Sequence, residues 1–169
     1  MKSAVCKEPN KIVIEEVDPP EIDDDEVLIK VRSAGISGLD VLAYKGLHPA
    51  IYYPITLGHE VSGEIVAIGK NVDNFSIGDK VIVDPLMPCK KYQSCLSGNH
   101  SLCQNLKMMG YNAEGAFSEY ISANASLVYL KDDNLSYEEA CLIEPLSISI
   151  HALKKTGVGI GDMIIIIGA

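Results

Sequence analysis

Leu57-Gly58-His59-Glu60-Val61-Ser62-Gly63-Glu64-Ile65-Val66-Ala67-Ile68 is the stretch on which the reading of this chain turns. From Val61 onward it is β-branched and broken by a glycine, the pattern of a strand rather than a helix. Further short strands surround it. Ile12 to Glu16 alternates weakly, and Val27 to Val31 sets Val27, Ile29 and Val31 on one face with Leu28, Lys30 and Arg32 on the other. Lys80 to Asp84 follows the turn Gly78-Asp79, and Phe117 to Ile121 adds one more. Short strands separated by turns predict an antiparallel barrel or sandwich. Between them, Gly38 to Lys45 places Leu39, Leu42 and Ala43 at the spacing of a short helix that Gly46 ends. The acidic run Asp23-Asp24-Asp25-Glu26 reads as a solvated turn.

Toward the carboxyl end the pattern changes. Pro145 suits the first turn of a helix running through His151 to Lys155, where Lys154 and Lys155 complement the helix dipole and Gly157 terminates it. After Gly157, Gly159 and Gly161, the run Met163 to Ile167 is continuously apolar, as in a strand covered on both faces within a parallel sheet. A parallel βαβ unit occupies roughly 30 residues. Only Gly168 and Ala169 follow this strand, so it is expected to lack a sheet of its own and either to dock on a second copy or to be poorly ordered. The expectation is one nearly complete β-rich domain plus the first helix and strand of an α/β domain.

With 169 residues, 47% of them hydrophobic and 22% charged, the chain is sized and composed for one packed core. A net charge of −9 makes nucleic acid a poor partner. The longest apolar run falls far short of the ~20 residues of a membrane span, and no export-type segment follows Met1. A soluble cytoplasmic protein is therefore expected, and its five cysteines should be reduced thiols or metal ligands rather than a disulfide framework.

Gly58-His59-Glu60 places an imidazole beside a carboxylate where the loop Tyr52-Tyr53-Pro54 feeds a strand. Imidazole ligates zinc, and a neighbouring carboxylate can ligate or fix the geometry, although such pairs also serve purely structural ends. Glu144 stands at a helix start between Leu142-Ile143 and Leu146, as a cap or as a further ligand. Cys89, Cys95 and Cys103 form C-x5-C-x7-C in a polar loop, three thiolates of a tetrahedral zinc set. Tyr92 lies midway between the first two cysteines, and His100 is either the fourth ligand or an exposed loop residue. Cys6 and Cys141, in apolar contexts, read as small core residues.

Ala34-Gly35-Ile36-Ser37-Gly38-Leu39-Asp40, Tyr53-Pro54 through Gly63, Gly78-Asp79-Lys80-Val81, Cys89 to Cys103 and Gly115-Ala116-Phe117-Ser118-Glu119-Tyr120 together resemble the medium-chain, zinc-type alcohol and polyol dehydrogenases. Leu142 to Ala152 is most similar to the branch acting on sorbitol, galactitol phosphate, threonine and sugar acids. The resemblance implies a mainly β fold: a GroES-like antiparallel β-barrel catalytic domain with short helices over 1–146, carrying a structural-zinc lobe at about 87–106. Residues 147–169 would open a truncated Rossmann nicotinamide-binding domain. It further implies catalytic zinc, NAD or NADP in the full-length protein, a small alcohol or sugar substrate and a homo-oligomer. His59, Glu60, Ser37 and Asp40 would be the catalytic residues, with Asp40 orienting the ligating histidine. His59, Glu60, Glu144 and Ser37 would hold the catalytic zinc, and Cys89, Cys95 and Cys103 an incomplete structural one.

Several positions depart from the family pattern. Ser37 occupies the place of a cysteine ligand, and its hydroxyl stays protonated and ligates weakly. Leu39 and Leu42 stand where a proton relay runs, and Tyr92 stands where a fourth cysteine would be. These departures leave open a zinc-independent quinone or enoyl reductase of the same fold and a non-catalytic module. Tyr44, His48, Tyr52 and Tyr53 border a substrate cleft in this reading or are ordinary surface.

Overall fold

The computed structural model describes residues 1–167. Its strands are β1 (Lys2–Glu8), β2 (Lys11–Glu16), β3 (Glu26–Gly35), β4 (Ile55–Thr56), β5 (Glu60–Ile68), β6 (Lys80–Val83), β7 (Leu86–Met87), β8 (Lys107–Met108), β9 (Tyr120–Asn124) and β10 (Val128–Leu130). The helices are α1 (Gly38–Tyr44), α2 (Gln93–Leu96), α3 (Tyr137–Cys141) and α4 (Ile143–Thr156). A five-stranded sheet runs β10-β6-β5-β3-β9, a three-stranded one β2-β1-β4, and β7 pairs with β8. All the pairings within these sheets are antiparallel.

β5 is the middle of the larger sheet, flanked by β3 and β6, and the β3 pairing sets Gly35 opposite Glu60. Register shifts at Leu28/Ile29 and Val31/Ser33 bend the pair, because an extra residue on one strand increases local twist. The sheet therefore curls into a half-barrel, which decides between the antiparallel barrel and the sandwich that the strand pattern left open. Its concave side is filled by Val27, Ile29, Val61, Ile65 and Val81, closed by Phe75, Met109 and Ile121. Ile29, Ile65 and Val81 are fully buried, and each such side chain contributes about 1.5–3 kcal/mol. A second cluster of Cys6, Ala43, Ile51, Ile55 and Leu57 locks α1 and β4 onto β1.

The two sheets are stitched by the segment read as the strand Phe117 to Ile121. Ala4 N–H donates to Phe117 O (2.8 Å), Glu119 N–H to Lys2 O (3.0 Å) and Val31 N–H to Glu119 O (2.9 Å). The segment crosses from one sheet to the other, so the continuous ladder begins only at Tyr120. Asp24 and Asp25 form the expected turn, with Lys70 paired to Asp24 at 2.8 Å.

α4 carries Pro145 in its first turn, as expected, and ends at Gly157, whose φ of 71° is the left-handed conformation that glycine tolerates best. Met163 to Ile167 is not a strand. It pairs with nothing among the described residues, and Met163 and Ile167 are 93% and 94% exposed. A strand needs a neighbour for its backbone groups, and the sheets of the half-barrel offer this run none. Among the described residues, no helix is long and apolar enough to cross a membrane.

Candidate metal centre

The site is assembled where β4, β5 and α4 meet. Leu57 and Gly58 lead into β5, and their backbone is gripped from the opposite loop: Gly115 N–H donates to Thr56 O (2.8 Å), Ala116 N–H to Gly58 O (2.9 Å) and Phe117 N–H to Leu57 O (2.9 Å). Gly58 has φ +95°, and a Cβ there would meet the Phe117 ring at 2.6 Å, so only glycine fits the bend. His59 and Glu60 follow at once, both buried.

Glu144 arrives from a distant part of the chain. Ser136 caps α3, its hydroxyl taking the Glu139 N–H while the Glu139 carboxylate returns to the Ser136 N–H, a reciprocal satisfaction of two end donors. Ser62 Oγ donates to Tyr137 O at 2.6 Å, fastening α3 to β5. α4 then starts without a side-chain cap, Leu142 being its first flanking residue, so Glu144 lies in the first turn and does not cap it. Its charge still suits the positive end of the helix. The result is that donor atoms of His59, Glu60 and Glu144 all lie within 4.8 Å of one another.

His59 Nδ1 is buried without a hydrogen-bond partner, a costly state for a polar atom. Asp40 Oδ1, the group expected to orient it, stands 3.9 Å away. That oxygen accepts instead from Gly58 N–H at 3.0 Å. The other oxygen, Oδ2, accepts from Ser37 N–H and Ser37 Oγ–H, each at 2.8 Å, while Asp40 N–H donates to Ser37 Oγ at 3.1 Å. Ser37 is thus the N-cap of α1 in a capping box with Asp40. Burial raises the Glu144 carboxyl pKa; His59 acts in the opposite direction, and Glu60 and Asp84 reinforce the rise. Gly35 backs the cluster from β3, where a Cβ would come within 2.0 Å of Glu60 Oε2.

A buried imidazole and two carboxylates whose donor atoms lie within 4.8 Å of one another form a site that a divalent cation fits. It would cancel the two negative charges and draw on imidazole and carboxylate donors, both ordinary ligands of zinc. Beside it lies a cleft of about 430 Å³, lined among others by Val61, Asp84, Tyr129, Ile143, Glu144 and Ser147.

A second three-donor cluster occupies the lobe between β7 and β8. Cys89, Cys95 and Cys103 present sulfurs within 4.8 Å of one another, with Cys89–Cys95 at 3.8 Å and Cys103–Cys89 at 3.4 Å. α2 carries Cys95, and a single 3-10 turn over His100–Leu102 delivers Cys103. Desolvation acts upward on the Cys95 thiol, yet hydrogen bonds from Cys103, Cys89, the Tyr92 backbone and Ser94 prevail and lower it to about 7. The lobe is tied to the barrel by Lys90, whose Nζ donates to Asn124 Oδ1 (3.1 Å) and Ser126 Oγ (2.9 Å). His100 is exposed and outside the cluster, and the Tyr92 hydroxyl accepts from Asn105 Nδ2 at 3.4 Å. Three cysteine sulfurs so close together would, on deprotonation, fit a zinc ion one ligand short of its protein-supplied four.

The aromatic candidates for a substrate cleft separate. Tyr44 and Tyr53 pack on the second core cluster, with the Tyr44 hydroxyl donating to Asn10 O and the Tyr53 hydroxyl to Ala43 O. His48 meets Tyr111 edge-on at 4.9 Å, and Tyr52 is 79% exposed. Cys6 and Cys141 are buried core residues, as read.

Residues 23–133 match the family model of the alcohol dehydrogenase GroES-like domain. The chain belongs to this family. It is 42% identical over 99% of its length to a sorbitol dehydrogenase of Bacillus subtilis and 36% identical over its whole length to an L-galactonate-5-dehydrogenase of Escherichia coli. Each match takes in 49% of the relative, so the chain spans about half the length of the curated relatives it matches. The galactitol-1-phosphate dehydrogenase of Escherichia coli superposes with a TM-score of 0.87 at 37% identity, over 93% of this chain and 45% of that one. The curled half-barrel is accordingly the GroES-like fold of zinc-type, nicotinamide-linked dehydrogenases.

Proposed function

We propose that this chain is the metal-holding catalytic part of a zinc-type dehydrogenase that oxidises a secondary alcohol of a polyol or sugar acid. The observation that carries the reading is the convergence of His59, Glu60 and Glu144, whose donor atoms lie within 4.8 Å of one another at the buried start of β5. The polyol and sugar-acid names of the similar proteins support the substrate class. In this reading residues 1–146 form the catalytic domain and 147–169 lead into a nicotinamide-binding one. The apolar residues Leu146, Ile148, Ile150 and Leu153, exposed on α4, favour a further body against that helix. A cytoplasmic homo-oligomer acting on a small sugar or polyol completes the proposal.

Bound zinc would supply Lewis acidity toward an alcohol oxygen, and a nicotinamide would supply the hydride acceptor. His59 offers the neutral donor from the rigid start of β5, while Glu60 and Glu144 offset the cation's charge. Val61 and Ile143 keep one wall of the adjoining cleft apolar, and Asp84 and Ser147 give it polar contacts for substrate hydroxyls. Leu39 and Leu42 cannot accept a proton, so the alcohol proton would leave to water or to a carboxylate not engaged by the cation. Cys89, Cys95 and Cys103 would hold the lobe's own metal and take no part in this chemistry.

The testing experiment joins the chain to the carboxyl-terminal half of the Bacillus subtilis sorbitol dehydrogenase and follows nicotinamide reduction on a panel of polyols and sugar acids. Turnover that disappears in His59→Ala is expected. Reduction of quinones or enones alone would establish the zinc-independent reading, and a folded, nicotinamide-binding but silent fusion would establish a non-catalytic module.

A further inference from the structure

The serine that stands in a ligand's place is committed elsewhere. Its hydroxyl donates to Asp40 Oδ2 and its oxygen accepts from Asp40 N–H, at 2.8 and 3.1 Å. What remains is one lone pair on a neutral oxygen, a poor donor to a divalent cation beside an imidazole and two carboxylates. Asp40, in turn, is 3% exposed and spends its second oxygen on Gly58 N–H, the residue immediately before His59. A continuous chain of hydrogen bonds therefore runs from Ser37 through Asp40 to the backbone from which His59 projects. Gly58 sits at φ +95° and needs such a restraint, since glycine is the residue freest to leave that conformation.

We propose that Ser37 is a positioning residue: it holds Asp40 on Gly58 and so aims His59, leaving the cation to a thiolate-free set of one imidazole and two carboxylates. The proposal rests on the metal-site reading given above, but its first consequence is visible without metal. With Ser37 anchoring both the amino end of α1 and Asp40, loss of its hydroxyl frees the carboxylate to turn, and the Gly58 amide loses its fixed acceptor. Loss of such an outer partner costs about 10–100-fold in metal affinity. Threonine keeps the hydroxyl and the cap. Glycine keeps a tolerable cap for α1 but has no hydroxyl, which separates helix stability from aim.

The experiment uses the 169-residue chain, its Ser37→Gly variant and its Ser37→Thr variant. Amide exchange at Gly58 is followed by NMR without metal, and zinc affinity is then measured by competition with a chromophoric chelator. In Ser37→Gly, Gly58 exchange should accelerate about tenfold or more and the zinc affinity of the His59 site should drop about 10–100-fold, with the thermal midpoint little changed. Ser37→Thr should restore both. Wild-type exchange at Gly58 in Ser37→Gly would overturn the positioning role, as would a Ser37→Thr variant no better than Ser37→Gly. Accelerated exchange in a chain whose His59 site takes up no zinc would support the positioning role while removing the metal-site reading, so the two fail separately.

Discussion

The molecule contains two three-donor clusters of similar compactness and opposite construction. His59, Glu60 and Glu144 join positions more than eighty residues apart, and they rest on β5, the central strand of the larger sheet. Cys89, Cys95 and Cys103 come from one lobe, pinned by a two-residue pairing of β7 with β8 and by Lys90. The first draws its geometry from the fold: Gly35 clears space for Glu60, Asp40 restrains Gly58, and α3 sets Glu144 at the head of α4. The second has little core behind it, and its order has to come from what the sulfurs bind. A cation should therefore find the first cluster largely built and should itself build the second.

Removing a ligand from the built site gives the largest effect. His59→Ala should weaken zinc there by more than about 100-fold, beyond what outer partners command, while the lobe keeps its ion; isothermal titration with a stoichiometry count reads this, and loss of both ions together would abolish the contrast. Cys103→Ser comes next. At zinc about 100-fold above its dissociation constant, an ion contributes about 2.7 kcal/mol to stability, and the variant should forfeit that amount for the lobe. Hydrogen exchange should then rise across 88–106 and stay unchanged at β5. Exchange rising equally in both places would show one cooperative unit instead of two regions.

Gly35→Ala is a finer probe. The added methyl meets the mobile end of Glu60, so the sheet should persist while the carboxylate shifts, with about tenfold weaker zinc at the first site and none at the lobe. An unchanged affinity would show that Glu60 is not a ligand. The smallest effect belongs to Glu139→Gln in the α3 capping box. Hydrogen bonds from the Ser136 backbone and hydroxyl hold the Glu139 carboxyl below its ordinary range. Its contribution is therefore present above the pKa of the unfolded carboxylate and is lost as pH falls through the lower folded value. The thermal midpoint should drop slightly at neutral pH and match the parent in acid; an equal drop at both would refute the ionic cap.

What could be read from the sequence follows the same division. The cysteine cluster is local, so spacing alone found it. The strands β3, β5 and β6 announced themselves through β-branched runs, and α1 and α4 through apolar spacing and their terminal glycines. β1 went unread because Lys2-Ser3-Ala4-Val5-Cys6-Lys7-Glu8 mixes charges with two adjacent buried residues, and only its position between β2 and β4 makes it a strand. α3 is five residues long, below the length at which periodicity speaks, although Ser136 and Glu139 spell a capping box. The same signature, Ser37 with Asp40, lay in the stretch taken for a degraded ligand site. That Glu144 meets His59 was legible only through resemblance, because no local rule relates positions so far apart.

The convergence of an imidazole and two carboxylates around a cation is tested most directly by crystallising the zinc-loaded chain and collecting at the zinc absorption edge. The account predicts an anomalous peak bonded to His59, Glu60 and Glu144 at zinc-to-nitrogen and zinc-to-oxygen distances of about 2.0–2.2 Å. A map with a peak at the cysteine lobe and none between these three side chains would contradict it.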